Sequence, residues 1–399
     1  MRKKLAYITR PVLILSLVSC FADIASEMLY PVMPVYLSSI GFSVFLIGLL
    51  EGLAETTAGI GKGYFGQLSD IRGNRLPFVR WGYFLSAVSK PLLAVSALPL
   101  WIFGARFIDR LGKGTRTGAR DALLSDLSAP ETKARVFGFH RALDTLGAVM
   151  GPLLALLYLQ WRPEDYKGLF LLAFGPGLIS VSLLLLLKEK KSAPKKEEKI
   201  ALFSYFKYYK KGNTSYRYLL KFLLLFALFN SSDVLLLLKM KESGADETLV
   251  LTVYIFYNIV FALFSFPLGM LADRWGLRRT FLAGIGIYIL VYLGFAINTQ
   301  PGIYWLLFFG YGLYAAATDG IAKAWIALQA KKSDTGNAMG LYSSVTGMAA
   351  FFASSMAGLI WWQAGAVWAF GITALAAAVV FIGIAIQPAD LLSDKKAAL

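Results

Sequence analysis

Long apolar runs recur along the whole chain, and they constrain its fold more than any other feature. Of its 399 residues, 57% are hydrophobic and only 16% are charged. About 20 consecutive apolar residues are enough for a helix to cross the hydrocarbon core of a bilayer. The runs predict an all-α integral membrane fold with twelve spans, at residues 11–38, 44–68, 76–98, 100–125, 133–160, 167–187, 217–241, 246–271, 277–298, 302–329, 334–361 and 365–387.

The loops between these spans fall into two alternating sets by charge. The loops near Ser39, Pro99, Asn298 and Gln363 carry almost no positive charge, whereas the loops that alternate with them and both termini are rich in Lys and Arg. The loops at 162–167 and 241–247 belong to the first set by position, and each mixes positive and negative charge. Basic loops stay on the cytoplasmic side of a membrane, so both termini are predicted to face the cytoplasm. The net charge of +16 therefore reflects membrane topology, and we expect no nucleic-acid partner.

One long polar segment, rich in lysine, interrupts the series of spans between Lys188 and Tyr216. It predicts an N-terminal six-helix bundle at residues 1–188, a cytoplasmic linker at 189–216 and a C-terminal six-helix bundle at 217–399. We interpret the linker as a flexible tether. The alternative is that its middle part, Ile200 to Tyr209, lies as an amphipathic helix on the inner leaflet, because it mixes apolar, aromatic and basic residues.

A ten-residue pattern occurs once in each half, after the second span of that half. It reads Gly66-Gln67-Leu68-Ser69-Asp70-Ile71-Arg72-Gly73-Asn74-Arg75 in the first half and Gly269-Met270-Leu271-Ala272-Asp273-Arg274-Trp275-Gly276-Leu277-Arg278 in the second. In both copies an Asp follows the first Gly by four positions and a second Gly follows it by seven. A repeat of half-chain period indicates a duplicated membrane bundle.

This spacing resembles the loop signature of the major facilitator superfamily, which lies between the second and third helices of each six-helix half. The first copy departs from the signature at Ile71, where the family usually has a basic residue. The resemblance covers essentially the whole chain and implies twelve transmembrane helices in two pseudosymmetric bundles. It also implies a multi-pass, monomeric transporter of the bacterial inner (cytoplasmic) membrane, with a small-molecule substrate and no cofactor.

The two loop motifs are expected to act as a conformational latch on the cytoplasmic side. Their glycines allow two helix ends to approach closely, and each Asp can accept hydrogen bonds from unpaired backbone N–H groups or from an arginine. The predicted latch residues are Gly66, Asp70, Gly73, Arg75, Gly269, Asp273, Arg274, Gly276 and Arg278.

Carboxylates lie deep inside the predicted spans of the first half. Because an unpaired ion in the membrane is costly, each is a functional candidate that must find a partner. A carboxylate that loses its basic partner to an arriving substrate takes up a proton, which is a physical basis for proton coupling. The candidates for proton coupling are Asp23, Glu27, Glu51, Glu55 and Asp144. The first choices are Asp23 and Glu27, which share one face of span 1, a span that the family resemblance places beside the central cavity.

Basic residues accompany these acids. Arg106 and Arg110 share a face of span 4, which the family resemblance places beside a central cavity, and they are predicted to bind a negatively charged substrate together with Lys113. Lys90 and Asp109 are instead expected to form part of a salt-bridge lattice that holds the bundle together.

The spans of the second half carry fewer charges and more aromatic and amide groups. Such groups line sites for organic solutes through stacking and hydrogen bonding. We expect Asp319 and Lys323, four residues apart on span 10, to form an intrahelical pair. The predicted substrate-binding residues of this half are Asn230, Asp233, Tyr254, Tyr257, Asn258, Asp319 and Lys323.

Span 5 contains the stretch Gly147-Ala148-Val149-Met150-Gly151-Pro152. Gly147 and Gly151 form a small-residue face that predicts close contact with another helix, and Pro152 permits a bend. The stretch resembles the glycine-proline motif of the superfamily's antiporters. Close packing alone also explains it.

The function that we predict is secondary active transport of a small organic, anionic solute by alternating access, coupled to protons in symport or antiport. The alternatives are a proton-driven drug or cation exporter, with Asp23, Glu27 and Glu55 as cation receptors, or a lysolipid or siderophore carrier. A membrane enzyme is disfavoured, because the sequence has one histidine, His140, and no pattern of metal ligands or of nucleophile, base and acid.

Overall fold

The computed structural model describes residues 8–388 except 31, 34–35, 38–39, 43, 190–200, 202, 232 and 246. Within these residues the secondary structure is helical and contains no strand. The helices are α1 (Arg10–Glu27), α2 (Val44–Arg72), α3 (Leu76–Val95), α4 (Pro99–Asp126), α5 (Lys133–Trp161), α6 (Tyr166–Leu185), α7 (Thr214–Ala227), α8 (Asp233–Glu242), α9 (Glu247–Trp275), α10 (Leu277–Ile297), α11 (Ile303–Gln329), α12 (Thr335–Ala364) and α13 (Ala366–Ala385).

Ten of the twelve predicted spans coincide with single helices to within a few residues, and the first is an exception. The sequence predicts an uninterrupted span over 11–38, but α1 ends at Glu27 and is followed by a turn. The Met28 N–H bonds to the Ile24 oxygen as in an α-helix, and the Leu29 N–H then bonds to the Ser26 oxygen three residues earlier, which tightens this end. Pro31 follows in the sequence, and a proline makes the helical conformation unfavourable for the residue before it.

The seventh predicted span, 217–241, is the second exception, because it consists of two helices. Helix α7 ends at Ala227 and α8 begins at Asp233, so Asn230 and Ser231 lie in the break between them. The hydroxyl of Ser231 is 3.3 Å from the Tyr292 hydroxyl of α10. A broken helix exposes backbone and side-chain polar groups at membrane depth, which is tolerated only where protein or a cavity surrounds them.

Six stretches of the described residues are long and apolar enough to cross a membrane by length and composition. They are Pro130–Trp161, Tyr166–Leu185, Thr252–Trp275, Leu277–Ile297, Lys332–Ala364 and Ala366–Ala385. Helix α4 is not among them because it contains the basic residues predicted within span 4, several of which are buried. The charge density of α4 therefore reflects contacts inside the protein.

The described chain divides into two compact units. Unit 1 comprises Met1–Ser128, Leu143–Lys211 and Lys331–Ser344, and unit 2 comprises Ala129–Ala142, Gly212–Ala330 and Val345–Leu399. Helices α5 and α12 each begin in one unit and continue in the other. The same helix pairs recur in both units: α2 with α4, α3 with α4 and α3 with α6 correspond to α9 with α11, α10 with α11 and α10 with α13.

Glycine allows α1 and α5 to pack closely in unit 1, as the span 5 stretch predicts. A Cβ atom added to Gly147 would lie 3.1 Å from the Asp23 Cβ, and one added to Gly151 would lie 2.8 Å from the Ile24 oxygen. A side chain at either position would push the two helices apart. The predicted small-residue contact face is confirmed.

Residues 203–211 of the linker, which belong to unit 1, pack against the helices of that unit through Tyr205. This side chain is fully buried, and its hydroxyl is 3.1 Å from the Ser344 hydroxyl of α12. Its ring lies against Gly63 of α2, where an added Cβ would collide with it. This part of the segment is therefore anchored to the protein, an arrangement that neither interpretation from sequence included.

Candidate functional site

A polar network joins four helices in the interior of unit 1, and Ser19 of α1 lies at its centre. The Ser19 hydroxyl donates to Oδ1 of Asp144 on α5 at 2.5 Å. It receives hydrogen bonds from Nη1 of Arg120 on α4 at 3.0 Å and from the Tyr83 hydroxyl of α3 at 3.4 Å. Arg120 also pairs with the fully buried Asp121, at 2.8 Å. The network holds two buried acids, an arginine and two hydroxyls in mutual contact.

Asp23 extends this network toward its partly exposed side. Its carboxyl group lies within hydrogen-bonding reach of the Asp144 carboxyl group, and the Arg116 guanidinium interacts with it electrostatically. Asp144 is buried, whereas Asp23 is partly exposed. Glu27 follows one helical turn later and lies in the electrostatic field of Lys113, Arg110 and Lys90. Three of the five predicted proton-coupling residues therefore lie together; the side chains of the other two, Glu51 and Glu55, lie outside the described part of the chain.

Lys90 and Asp109, which the sequence predicts to be members of a salt-bridge lattice, pair with each other. Nζ of Lys90 on α3 is 2.8 Å from Oδ1 of Asp109 on α4, and Nη1 of Arg106 is 3.8 Å from Oδ2 of the same carboxylate. All three side chains are buried. Asp109 thus interacts with two cations, and one of them is Arg106, which is predicted from sequence to bind substrate.

The basic residues of α4 form a longer stripe than the one predicted from sequence. Arg106, Arg110, Arg116 and Arg120 are all buried, at exposures of 5–8%. Arg116 lies over the Tyr83 ring, with its guanidinium carbon 4.4 Å from the ring centre, and donates to the Ser86 hydroxyl at 2.5 Å. Helical spacing of basic residues continues to Arg120 in the sequence, and that signal would have found the last two.

In unit 2, an ion pair joins α5 to α11. Nε of Arg141 is 2.7 Å from Oδ2 of Asp319, and the guanidinium also lies over the Phe261 ring at 5.0 Å. About a third of each charged side chain is exposed. Asp319, a predicted substrate residue, therefore has an interhelical partner that was not predicted from sequence; the pairing predicted with Lys323, which is partly buried on α11, stays a prediction.

An aromatic cluster occupies the interior of unit 2. The rings of Tyr257 and Tyr311 are 5.0 Å apart, those of Tyr311 and Tyr314 are 5.4 Å apart, and those of Tyr288 and Tyr314 are 4.6 Å apart. The Asn230 side chain in the helix break lies beside the Tyr314 hydroxyl. Rings with hydroxyl groups at this spacing provide both stacking surface and hydrogen-bonding capacity.

The remaining predicted residues of unit 2 lie around this cluster. Asp233 acts electrostatically on Tyr257, Tyr292 and Tyr311. The Tyr254 ring is 5.9 Å from that of Tyr257. Asn258, by contrast, donates to a backbone oxygen of its own helix at 3.0 Å, which uses one of its donors for local structure.

Both loop motifs use their second glycine to turn the chain and their first to bring two helices together. Gly73 and Gly276 have φ angles of 62° and 99°, in the left-handed region that other residues rarely adopt. A Cβ on Gly66 would lie 2.5 Å from the Gly336 oxygen of α12. A Cβ on Gly269 would lie similarly close to α5, 2.6 Å from a backbone oxygen.

The Asp of the first motif binds the N-terminus of α12. Asp70 accepts hydrogen bonds from the backbone N–H groups of Gly336 and Asn337 at 3.0 and 2.7 Å. Arg75 donates to the same carboxylate at 2.8 Å and also pairs with Asp126. The first turn of a helix has unpaired N–H groups and partial positive charge, so a carboxylate there is stabilising.

The Asp of the second motif binds the N-terminus of α5 in the same way. Asp273 accepts from the N–H groups of Ala134 and Arg135, both at 3.1 Å, and from Nε of Arg135 at 2.6 Å. Arg278 donates to backbone oxygens at the end of α13 and just after it, those of Ile384, Ala385 and Gln387, at 2.7–3.0 Å. Arg274 is exposed. The two motifs therefore share their acceptor but take the charged donor from different elements.

The helix pairs repeated in two units, the apolar spans and the buried ionisable network define a multi-pass membrane transporter. The family model of the Major Facilitator Superfamily matches residues 15–240 and 219–396. The chain belongs to this superfamily, whose members are transporters rather than enzymes.

Similar proteins agree with this assignment. The chain is 32% identical over 366 residues to an uncharacterized MFS-type transporter of Methanocaldococcus jannaschii, covering 89% of each chain. Its fold is similar to that of the human organic anion transporter MFSD10, with a TM-score of 0.79 at 19% identity over 94% of this chain and 98% of the other. It is also similar to a variant of the Escherichia coli fucose:proton symporter FucP, with a TM-score of 0.76 at 14% identity over 96% and 99%.

Proposed function

We propose that this protein is a secondary active transporter that moves a small organic anion across a bacterial inner membrane by alternating access, driven by the proton gradient. The observation that carries the proposal is the buried arginine stripe of α4 beside the carboxyl groups of α1 and α5 in unit 1. Buried cations attract an anion, and neighbouring acids of like charge favour a bound proton.

Arg106 and Arg110 are the proposed substrate residues of unit 1. A guanidinium offers a planar set of donors that matches carboxylate and phosphate geometry. Asp109 and Glu27 lie close to these cations and would compete with a substrate anion for them. Competition of this kind lets substrate binding change the partners, and hence the charge state, of nearby acids.

Unit 2 supports the organic part of the proposed substrate. Its tyrosines and the amide of Asn230 provide stacking and hydrogen bonding, and the Arg141–Asp319 pair adds a partly exposed guanidinium. Sites for organic solutes combine an apolar lining with a few fixed polar groups. The names of the two structural neighbours, an organic anion transporter and a fucose:proton symporter, are compatible with this substrate class and with proton coupling.

The two loop motifs are the proposed conformational latch. Asp70 and Asp273 each hold the first turn of a helix that begins in one unit and continues in the other. Breaking either set of bonds leaves helix N-terminal N–H groups without their carboxylate. We propose that these bonds form in one state of the transport cycle and break in another, with both termini on the cytoplasmic side.

A flux assay in proteoliposomes tests the proposed function. A proton gradient directed into the vesicles is imposed. Uptake of radiolabelled lactate, citrate and p-aminohippurate is compared with uptake of the cationic dye ethidium. Gradient-driven uptake of an anion that Arg110→Ala abolishes, and that the exposed control Arg162→Ala leaves intact, is the expected result. Uptake that does not respond to the pH gradient, or that survives Arg110→Ala, contradicts the proposal.

A proton-driven cation exporter is the second candidate, because Asp23, Glu27 and Asp144 place three carboxyl groups in one region of unit 1. This function predicts that ethidium moves and that the three anions do not. It also predicts that Glu27→Gln stops ethidium transport while Arg110→Ala preserves it. The same set of vesicles therefore separates the two candidates.

A further inference from the structure

We propose that Asp23 and Asp144 form a single proton-binding site, in which one proton is shared between the two carboxyl groups and is the proton moved in each cycle. The inference rests on the proposed proton coupling and identifies the residues that hold the proton.

The two carboxyl groups lie within hydrogen-bonding reach of each other. An ionised carboxylate can only accept hydrogen bonds, so the two groups can bond to each other only when one of them is protonated. Oδ1 of Asp144 already accepts the Ser19 hydroxyl at 2.5 Å. Two acids in contact in a poorly solvated site do not both ionise, and they titrate as one unit.

The backbone places the two acids together. Asp23 lies on α1 opposite Gly147 of α5, three residues after Asp144, and an added Cβ at Gly147 would lie 3.1 Å from the Asp23 Cβ. A side chain at position 147 would therefore move α1 away from α5 and lengthen the distance between the carboxyl groups. The glycine is required for the pair to form.

Polar and charged groups of α1, α3 and α4 surround the pair. On α1 they are Ser19, Cys20 and Glu27; on α3, Tyr83; on α4, Arg116 and Arg120. Arg116 acts on Asp23 and Arg120 acts on Asp144, so each acid has a cation on α4. Ser19 fixes the orientation of Asp144, and we assign it a positioning role.

The other described acids of this region have different partners. Glu27 lies in the field of three cations, and Asp109 is held by Lys90 at 2.8 Å. Asp121 pairs with Arg120 at 2.8 Å. Among the described acids of these helices, Asp23 and Asp144 are the two whose carboxyl groups lie within hydrogen-bonding reach of each other.

The proton step is balanced within this pair. A proton from water on one side of the membrane forms an O–H bond to one carboxylate and is shared with the other. When that bond breaks, the proton passes to water on the opposite side and leaves two carboxylates, which repel each other. Asp23, being partly exposed, is the member that can separate, while Ser19 and Arg120 retain Asp144.

The test separates coupling from transport. Wild type, Asp23→Asn and Asp144→Asn are reconstituted, and two rates are measured with the radiolabelled anion that wild type accumulates: accumulation driven by a pH gradient, and exchange without a gradient. Both variants are expected to lose gradient-driven accumulation at least tenfold and to retain exchange. Accumulation at the wild-type level in either variant overturns the inference.

A glycine variant tests the geometry without removing a titratable group. Gly147→Ala is expected to reduce gradient-driven accumulation several-fold. Gly175→Ala on α6, where an added Cβ meets nothing within 4 Å, is the matched control and is expected to behave as wild type. Normal coupling in Gly147→Ala overturns the requirement for close contact between the acids.

Infrared spectroscopy of the purified protein gives a readout that does not depend on transport. The shared proton predicts a protonated-carboxyl C=O band at neutral pH that both Asp23→Asn and Asp144→Asn shift or remove. If wild type moves none of the probes with a pH gradient but the band behaves as predicted, the proposed function fails and the shared proton stands. If neither variant alters the band, the shared proton is refuted whatever the transport result.

Discussion

Replacing Lys90 and Asp109, singly and together, tests how the charged lattice of unit 1 is held. Nζ of Lys90 is 2.8 Å from Oδ1 of Asp109, and Arg106 reaches the other carboxylate oxygen at 3.8 Å. At an effective dielectric constant of about 20, these separations correspond to attractions of about 6 and about 4 kcal/mol before desolvation is subtracted. Asp109 keeps a second cation, Arg106, when Lys90 is removed. Removing Lys90 and removing Asp109 are therefore not equivalent.

The asymmetry gives an ordered prediction. Lys90→Met leaves Asp109 paired with Arg106, so we expect a loss of about 2 kcal/mol in unfolding free energy. Asp109→Asn leaves Lys90 buried among cations, so we expect a loss of about 4 kcal/mol. The double variant removes the unpaired charge as well, and it is expected to be about 3 kcal/mol more stable than the sum of the single losses implies.

Unfolding by SDS in mixed micelles measures these free energies. The pair Lys239 and Glu242 is the matched control, because its ions are 3.3 Å apart but Glu242 is 52% exposed. A double-variant cycle on this pair is expected to give a coupling of less than about 1 kcal/mol. The reasoning is refuted if Lys90→Met is as damaging as Asp109→Asn, or if the losses of the buried pair are additive.

Three further predictions concern the first loop motif, the linker and the loop that follows α5. Asp70→Ala removes the carboxylate from the first turn of α12. Amide hydrogen exchange in that turn is expected to become about tenfold faster, which corresponds to a loss of about 1–2 kcal/mol in the free energy of local opening. Unchanged exchange would contradict the capping role. Gly63→Ala is expected to displace Tyr205 and to speed proteolysis of the linker. Gly59→Ala, whose Cβ meets nothing within 4 Å, is the control and should leave the rate unchanged. Equal proteolysis rates in the two variants would exclude the packing of Tyr205 against Gly63. Hydrogen bonds from a tyrosine hydroxyl and a backbone N–H hold the pKa of Asp165 below its ordinary value of about 4, so its stabilisation is present above that value and is lost as pH falls through the lowered pKa. The difference in melting temperature between wild type and Asp165→Asn should therefore narrow below about pH 4.

The positions of the helices were predictable from sequence because a membrane helix satisfies its own backbone hydrogen bonds locally. An apolar run therefore determines a span without reference to the rest of the chain, and α9 and α11 begin and end within a few residues of their predicted bounds. The break after Ala227 also has a local signal, the polar triplet Asn230-Ser231-Ser232, which the run of apolar residues around it conceals.

The partners of the charged side chains were not predictable in the same way. The loop motif predicts that Asp70 accepts backbone N–H groups, but those groups belong to residues 266 and 267 positions later. Arg141 and Asp319 likewise come from different halves of the chain. Ser19 carries no sequence signal at all, although it joins three helices to Asp144.

The sequence by itself thus determined the limits of ten of the twelve predicted spans and the residues that must find partners. Only the tertiary structure decided which partners they found. The physical reason is that burial of a polar group in a bilayer has a high cost that is visible in the sequence, whereas the group that offsets this cost is selected by how the helices pack.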